Sequence, residues 1–334
     1  MKLGILTDLY GHYKLYEEGC KELDIDYVII DFLSTDWLSN IQKNLDCNGF
    51  LVRPTHDYQE HNDVYMERLY FLTFDLKKQI YPSYNELRLY ENKRNMATWL
   101  ELYDFTHAKT NVFLNKKEAM KYVSHATYPL VIKSNIGAGA TGVKIVKSTR
   151  KAKRIINNTF GRFHPFFSLG QVQKRKRFGM TIPIWGSAEK HVVLIQDYHE
   201  IQWEWRIIKI NDSYFGHKKL LKGEFASGSD RVEWIQPPEE LLEMTREICE
   251  KGNFYSMAVD IFETTDNTYI VNELQSLFGS YLDSQMNING IPGRYRYLNN
   301  EYVFEEGTFN QYGSYLLRVE HFIQILNETR DINE

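Results

Sequence analysis

The sequence contains no apolar run near the roughly 20 residues that a membrane-spanning helix needs. Its opening, MKLGILTDLYGHY, lacks the basic-then-apolar pattern and small-residue cleavage site of a secretory leader. Cysteine is scarce: Cys20, Cys47 and Cys249 are the only three, far apart and without metal-type spacing. That excludes a zinc finger and a disulfide frame, and reads as reduced thiols in a cytoplasmic protein. Excess basic charge is missing too. The net charge of -4 gives no general pull toward nucleic acid or anionic membrane. There is no internal repeat and no low-complexity tract.

What is present is an ordinary globular balance, 43% apolar and 25% charged, over 334 residues, enough for two or three lobes. The first part alternates strand and helix signals: strands at 3–6, 27–31 and 49–52, with a helix at about 13–23. This predicts a small parallel α/β domain, whose ligands sit at the carboxyl ends of the strands, beside Asp8 and Arg53. Helices follow at about 62–79 and 93–103, then a strand at 128–133, a glycine segment and a strand at 143–146. From 192 to 275 the pattern is β-rich, with turn signals at Asn211-Asp212 and Asp266-Asn267 and one helix at 238–252. The last 50 residues read as polar, Tyr-rich loops before a helix at 316–327.

Gly137-Ala138-Gly139-Ala140-Thr141-Gly142 matches G-x-G-x-x-G, but strand residues follow it instead of a helix. A dinucleotide fingerprint requires the helix. A hairpin flap does not, and its N–H groups can close over phosphates. The stronger signal is the pair of runs MAVDIFE and TYIVNELQ around Asp266-Asn267, a pair suited to a two-residue hairpin loop. Pairing outward from that turn, Thr265 against Thr268, sets Asp260 opposite Glu273, with Gln275 on the same face. Opposed carboxylates repel and need a proton or a cation; hard oxygens so placed suit Mg²⁺.

Lys133 with its glycine loop, followed about 130 residues later by Asp260 and Glu273, resembles the ATP-grasp superfamily, in particular the carboxylate–amine ligases related to RimK and glutathione synthetase. The resemblance covers roughly residues 1–280. It implies an N-terminal parallel α/β domain (1–88), a central lobe with the glycine flap (89–190) and a C-terminal lobe with the metal site and an extension (191–334). Further motifs fall in the family's order. Asn92-Lys93 stands where an Asp-Lys pair opens a helix, and implies that Lys93, like Lys133, contacts ATP phosphate. The run around Gln196-Asp197-Tyr198 resembles the adenine-holding hinge. In Glu204-Trp205-Arg206 the acidic group implies a ribose contact and Arg206 a group steadying the transferring phosphoryl. Asp260, Glu273 and Gln275 fall on the magnesium ligands. The family's usual Glu-x-Asn is Glu273-Leu274-Gln275 here, a longer amide arm.

The resemblance implies a ligase that activates a carboxylate as an acyl phosphate and joins it to an amine. It implies ATP and two Mg²⁺, replaceable by Mn²⁺, with Arg206 and Lys133 in catalytic roles. Arg53 and His56 are candidates for holding a substrate carboxylate; a loop arginine with a local acidic partner is the alternative. Sugar-linked substrates suit the abundance of Tyr and Trp, and the basic run at 174–177 suits an acidic substrate. A homodimer is a further expectation. The rival readings are an ATP-grasp kinase acting on a hydroxyl and a non-catalytic nucleotide-binding module.

Overall fold

The computed structural model describes residues 1–55, 59–137, 142–161, 190–224, 226, 231–279 and 282–333, and the backbone of four two-residue strands between 171 and 185. Strands Asp26–Ile30, Lys2–Leu6, Gly49–Leu51 and Ile80–Tyr81 lie side by side in that order, all parallel. Side chains alternate between the two faces of a strand, so Leu6, Phe50 and Val52 meet Tyr65, Leu69 and Leu72 on one side. Leu3, Ile5 and Leu51 meet Tyr16 and Cys20 on the other, together with Tyr315, Val319 and Phe322 of the last helix, Tyr315–Asn333. Gly49 makes this fit possible. A Cβ there would lie 2.4 Å from Cζ of Phe322.

A second sheet, antiparallel, runs Thr110–Phe113, Val193–Asp197, Leu130–Lys133, Val143–Val146. Helices Lys116–His125 and Thr149–Thr159, capped by the side chains of Asn115 and Ser148, close its back. The largest sheet is also antiparallel and is built around Tyr269–Gln275, Ser256–Thr264, Ile201–Ile210, Ser213–Lys219 and Ile291–Leu298. Helices Lys93–Leu102 and Glu239–Gly252 bury Met96, Trp99, Leu241 and Ile248 against the face that carries Trp205 and Ile207. The opposite side chains, Glu204 and Arg206, are left for the space between the two antiparallel sheets.

Strand Val193–Asp197 pairs within the second sheet, and the last helix packs on the first. Two local sequence expectations are corrected. The helix predicted at 62–79 runs Gln59–Tyr70, continues as a π turn over Phe71–Asp75 and stops before Lys77, whose φ is +54°. The segment read as polar loops contains the hairpin Ile291–Leu298 with Glu301–Glu306. Its turn residues Asn299 and Asn300 both have positive φ, +52° and +66°, as primed hairpin turns demand.

Candidate active site

The hairpin carrying Asp260 and Glu273 reaches the expected pairing by an unexpected route. Its loop has three residues, not two: the Thr264 hydroxyl accepts from Thr268 N–H at 3.0 Å, and Asn267 adopts φ +59°. Phe262 therefore faces Ile270 and Ile261 faces Val271, one residue out of the predicted register. A bulge then absorbs Asn272, after which Asp260 faces Glu273. Across the sheet Arg206 faces Asp260 on one side and His217 on the other. Cross-strand partners share a face. The result is a row, Glu273–Asp260–Arg206–His217, spanning four strands.

The charges of this row are paired. Arg206 donates to both oxygens of Asp260, from Nε and Nη2, at 2.8 Å each, and from Nη2 to Oε1 of Gln275 at 2.8 Å. Lys219 Nζ bridges Glu204 Oε1 at 2.5 Å and Asp260 Oδ2 at 2.7 Å. Burial alone would raise the Asp260 pKa, but Arg206 and Lys219 outweigh it and hold its carboxyl well below the ordinary range. Glu204 is fully buried, and that burial pushes its pKa up despite Lys219. The bulged Asn272 ties the parts together, donating to Glu204 Oε2 at 2.9 Å and accepting from Lys133 Nζ at 3.4 Å.

Two lysines complete the cleft. Asn92 caps the Lys93–Leu102 helix by accepting from Asn95 N–H at 3.1 Å, a role Asn fills as well as Asp. Lys93 follows the cap and donates to the Gly137 carbonyl at 2.8 Å, with Glu91 and Glu273 each 3.6 Å away. Those two carboxylates overcome its burial and raise its pKa. Lys133 is the opposite case: burial, reinforced by the Lys93 charge, pushes it down to about 8. Burial also raises Glu273.

Lys133 ends a strand that pairs directly with Val143–Val146, and Ser134 N–H donates to the Gly142 carbonyl at 3.0 Å. The strands that flank the glycine segment thus pair as a hairpin, as the sequence predicts. Gly137 lines the cleft; Ala138, Gly139, Ala140 and Thr141 lie outside the described residues, as do His56 and the rest of 56–58. The cleft spans about 850 Å³ of empty space, open mouth included. Lys93, Lys133, Glu204, Asn272 and Glu273 line its polar end; Ala108, Val131, Val143, Ile145, Ile201 and Phe262 line an apolar slot bordered by Gln196, Asp197 and Tyr198. Gln196 donates to the Ala108 carbonyl at 3.2 Å, and Asp197 accepts from the Tyr122 hydroxyl at 3.4 Å. Arg53 is not among the residues that line the cleft; it lies against Tyr315.

No family model matches the sequence, and no curated protein matches it. Solved structures do. A D-alanine–D-alanine ligase from Bacillus anthracis superimposes with a TM-score of 0.58 at 14% identity, over 98% of this chain and 99% of that one. A RimK-domain ATP-grasp protein from Sphaerobacter thermophilus gives 0.54 at 16% identity, over 82% and 90%. This chain has the ATP-grasp fold. The biotin carboxylase domain of a Hydrogenobacter thermophilus 2-oxoglutarate carboxylase, solved with MgADP, ADP and bicarbonate, gives 0.56 at 11% identity, over 84% of this chain and 64% of that one.

Three residues of this region were missed in the sequence: Asn272, which lines the cleft, and Lys219 and His217, which join the charged row beside it. Lys219 and His217 had a usable signal. Pairing outward from the Asn211-Asp212 turn sets Glu204 against Lys219 and Arg206 against His217, as observed. Asn272 had none, because a bulge is not visible in the alternation of residue types. The metal argument also changes. The cations that the opposed carboxylates require are Arg206 and Lys219 at Asp260, so the pairing does not by itself call for a metal. Among the described residues no three His, Cys, Asp or Glu side chains cluster to hold one. The donor chemistry still fits a hard cation at Glu273, a half-buried carboxylate whose neighbour Lys93 is beyond hydrogen-bond distance. The Gln275 amide turns its N–H to Glu273 and its oxygen to Arg206, so it could join only by giving up Arg206. Asp260 could join only by exchanging one of its two cations.

Proposed function

We propose that the protein is an ATP-dependent, magnesium-requiring ligase that joins a carboxylate to an amine. The observation that carries this reading is the convergence of Lys93, Lys133, Glu204 and Glu273 around one cleft beside the glycine hairpin, with Arg206 next to it in the charged row. The apolar slot suits adenine, with Gln196, Asp197 and Tyr198 at its edge and Glu204 toward the ribose. Lys93 and Lys133 face the phosphates. Arg206, held flat by Asp260 and Gln275, presents a fixed positive charge where a transferring phosphoryl group gathers negative charge. Positioning and electrostatics are what phosphoryl transfer asks of a protein.

Glu273, with Asp260 and Gln275 after each exchanges a present partner, would hold one or two Mg²⁺ or Mn²⁺, which would supply charge neutralisation across the phosphates. The MgADP of the carboxylase domain described above supports this assignment. In the reaction a carboxylate oxygen bonds to the γ-phosphorus as the bond to ADP breaks. An amine nitrogen then bonds to the acyl carbon, inorganic phosphate leaves, and the amine loses a proton to solvent. No protein nucleophile is needed.

Calorimetry with MgATP provides the test. Wild type is expected to bind, and Glu273→Ala and Lys133→Ala to bind at least tenfold more weakly. ADP release should then require both a carboxylate and an amine. A stable phosphate ester formed without any amine would make the enzyme a kinase. Unaltered binding in both variants would refute the residue assignments.

A further inference from the structure

At the carboxyl edge of the parallel sheet, where open α/β folds hold ligands, two arginines share one aromatic ring. Arg53 follows strand Gly49–Leu51, donates from Nη1 to the Tyr315 hydroxyl and lies 5.5 Å from the centre of that ring. Arg318, one turn along the last helix, lies 4.8 Å from the same centre and 4.0 Å from the centre of Phe278. Arg318 is wholly buried. Only its Nη2 is used, donating to the Phe278 carbonyl at 2.8 Å. Its Nε and Nη1, and the adjacent buried Tyr16 hydroxyl, have no hydrogen-bond partner among the described residues.

Neither arginine forms an ion pair with a carboxylate among the described residues. Asp8, the acid whose field reaches Arg53, spends its oxygens on the N–H groups of Tyr10 and Tyr13 at 2.9 and 2.8 Å. A guanidinium cannot shed its proton at any ordinary pH, and a buried charge without a partner is strongly unfavourable. One such charge, Arg318, beside the partly exposed Arg53 on the same ring makes a place for an anion. Arg53 is partly exposed and Arg318 lies behind it, so the approach is from the Arg53 side. Tyr90 packs in one core with Val52, the neighbour of Arg53, and the next residue, Glu91, lies 3.6 Å from Lys93 of the cleft, so this cluster sits near the cleft.

We propose that Arg53 and Arg318, with the hydroxyls of Tyr16 and Tyr315, form an oxyanion subsite that holds a carboxylate or phosphate of the substrate other than the group that reacts. It rests on the ligase reading for the word substrate, and it narrows that substrate to a molecule bearing at least one extra anionic group.

The full-length chain is tested by thermal unfolding with sodium glutarate or sodium phosphate, against sodium chloride at equal ionic strength. At least one oxyanion is expected to raise Tm above the chloride control, with an apparent affinity at least tenfold weaker in Arg53→Met and Arg318→Met. MgATP affinity, measured separately, should stay within about twofold of wild type in both. A response to glutarate alone identifies a carboxylate, and one to phosphate alone a phosphoryl group. Should Arg318→Met fail to fold, Arg53→Met, at a partly exposed position, decides. The subsite is refuted if neither oxyanion stabilises wild type beyond chloride, or if the stabilisation survives in the variants. Loss of MgATP binding in wild type with the anion effect intact would overturn the ligase reading and leave the subsite standing.

Discussion

Two arginines of this molecule, one half-buried and one wholly buried, are treated in opposite ways. Arg206 is clamped by Asp260 and Gln275, with every contact drawn from neighbouring strands. Arg318 has one carbonyl, two aromatic faces and two idle nitrogens. The first arrangement is complete in the folded chain, so its geometry is fixed before any ligand arrives. The second is incomplete, so its geometry becomes favourable only when something negative enters. Where the chain can satisfy a charge internally it builds a rigid tool; where it leaves one unsatisfied it builds a receptor.

Removing the guanidinium should separate the two most sharply. Arg206→Met leaves Asp260 with Lys219 alone, and breaking a buried pair costs about 3–5 kcal/mol; urea unfolding is expected to show a loss of that size. Arg318→Met, in buffer free of oxyanions, is expected to lose little or to gain, because an uncompensated charge is replaced by apolar bulk. Comparable losses in both would erase the contrast.

A smaller effect follows from pH at the polar end of the cleft. Burial sets Lys133 at about 8, against roughly 10.4 in the unfolded chain. Between those values the unfolded state carries more protons, so stability rises with pH there. The cleft meanwhile loses a cation, so MgATP affinity should fall severalfold as pH passes through 8. Calorimetry on Lys133→Arg, whose charge persists, should give a flat profile; a parallel decline would remove Lys133 from the phosphate site.

The smallest effect concerns the end of the charged row. Burial, with Arg206 next in weight, pushes His217 down to about 4. A depressed imidazole contributes stability that is complete above the unfolded value near 6.5 and is lost as pH falls toward 4. That loss is expected to be on the order of 1–3 kcal/mol in denaturant titrations, and His217→Gln should flatten it. An unchanged acid slope in the variant would assign the loss to other groups, among them His321, also pushed to about 4 by burial.

Much of this was legible from the residues. Short apolar strands between helices indicated the parallel sheet, and the strand after the glycine run excluded a dinucleotide fold. Charge at defined offsets from a turn placed Asp260 against Glu273. The unreadable parts share a cause. The bulge at Asn272 and the three-residue loop shift a register without changing the residue pattern. The long reach of Tyr315–Asn333 onto the first sheet leaves no local trace, because an amphipathic helix reports that it is covered and not by what. Arg318 was invisible for the same reason: an arginine in a terminal helix reads as solvated until its surroundings are known.

The notch at Gly49 that receives Phe322 has a consequence for the order in which the protein can mature. The parallel sheet is made well before the helix that seals one of its faces, with the two large antiparallel sheets between them in the chain. During synthesis Leu3, Ile5 and Leu51 must stay uncovered on that side until that helix follows. Contacts so distant in sequence slow folding, and the nascent sheet is a natural client for chaperones until Phe322 docks.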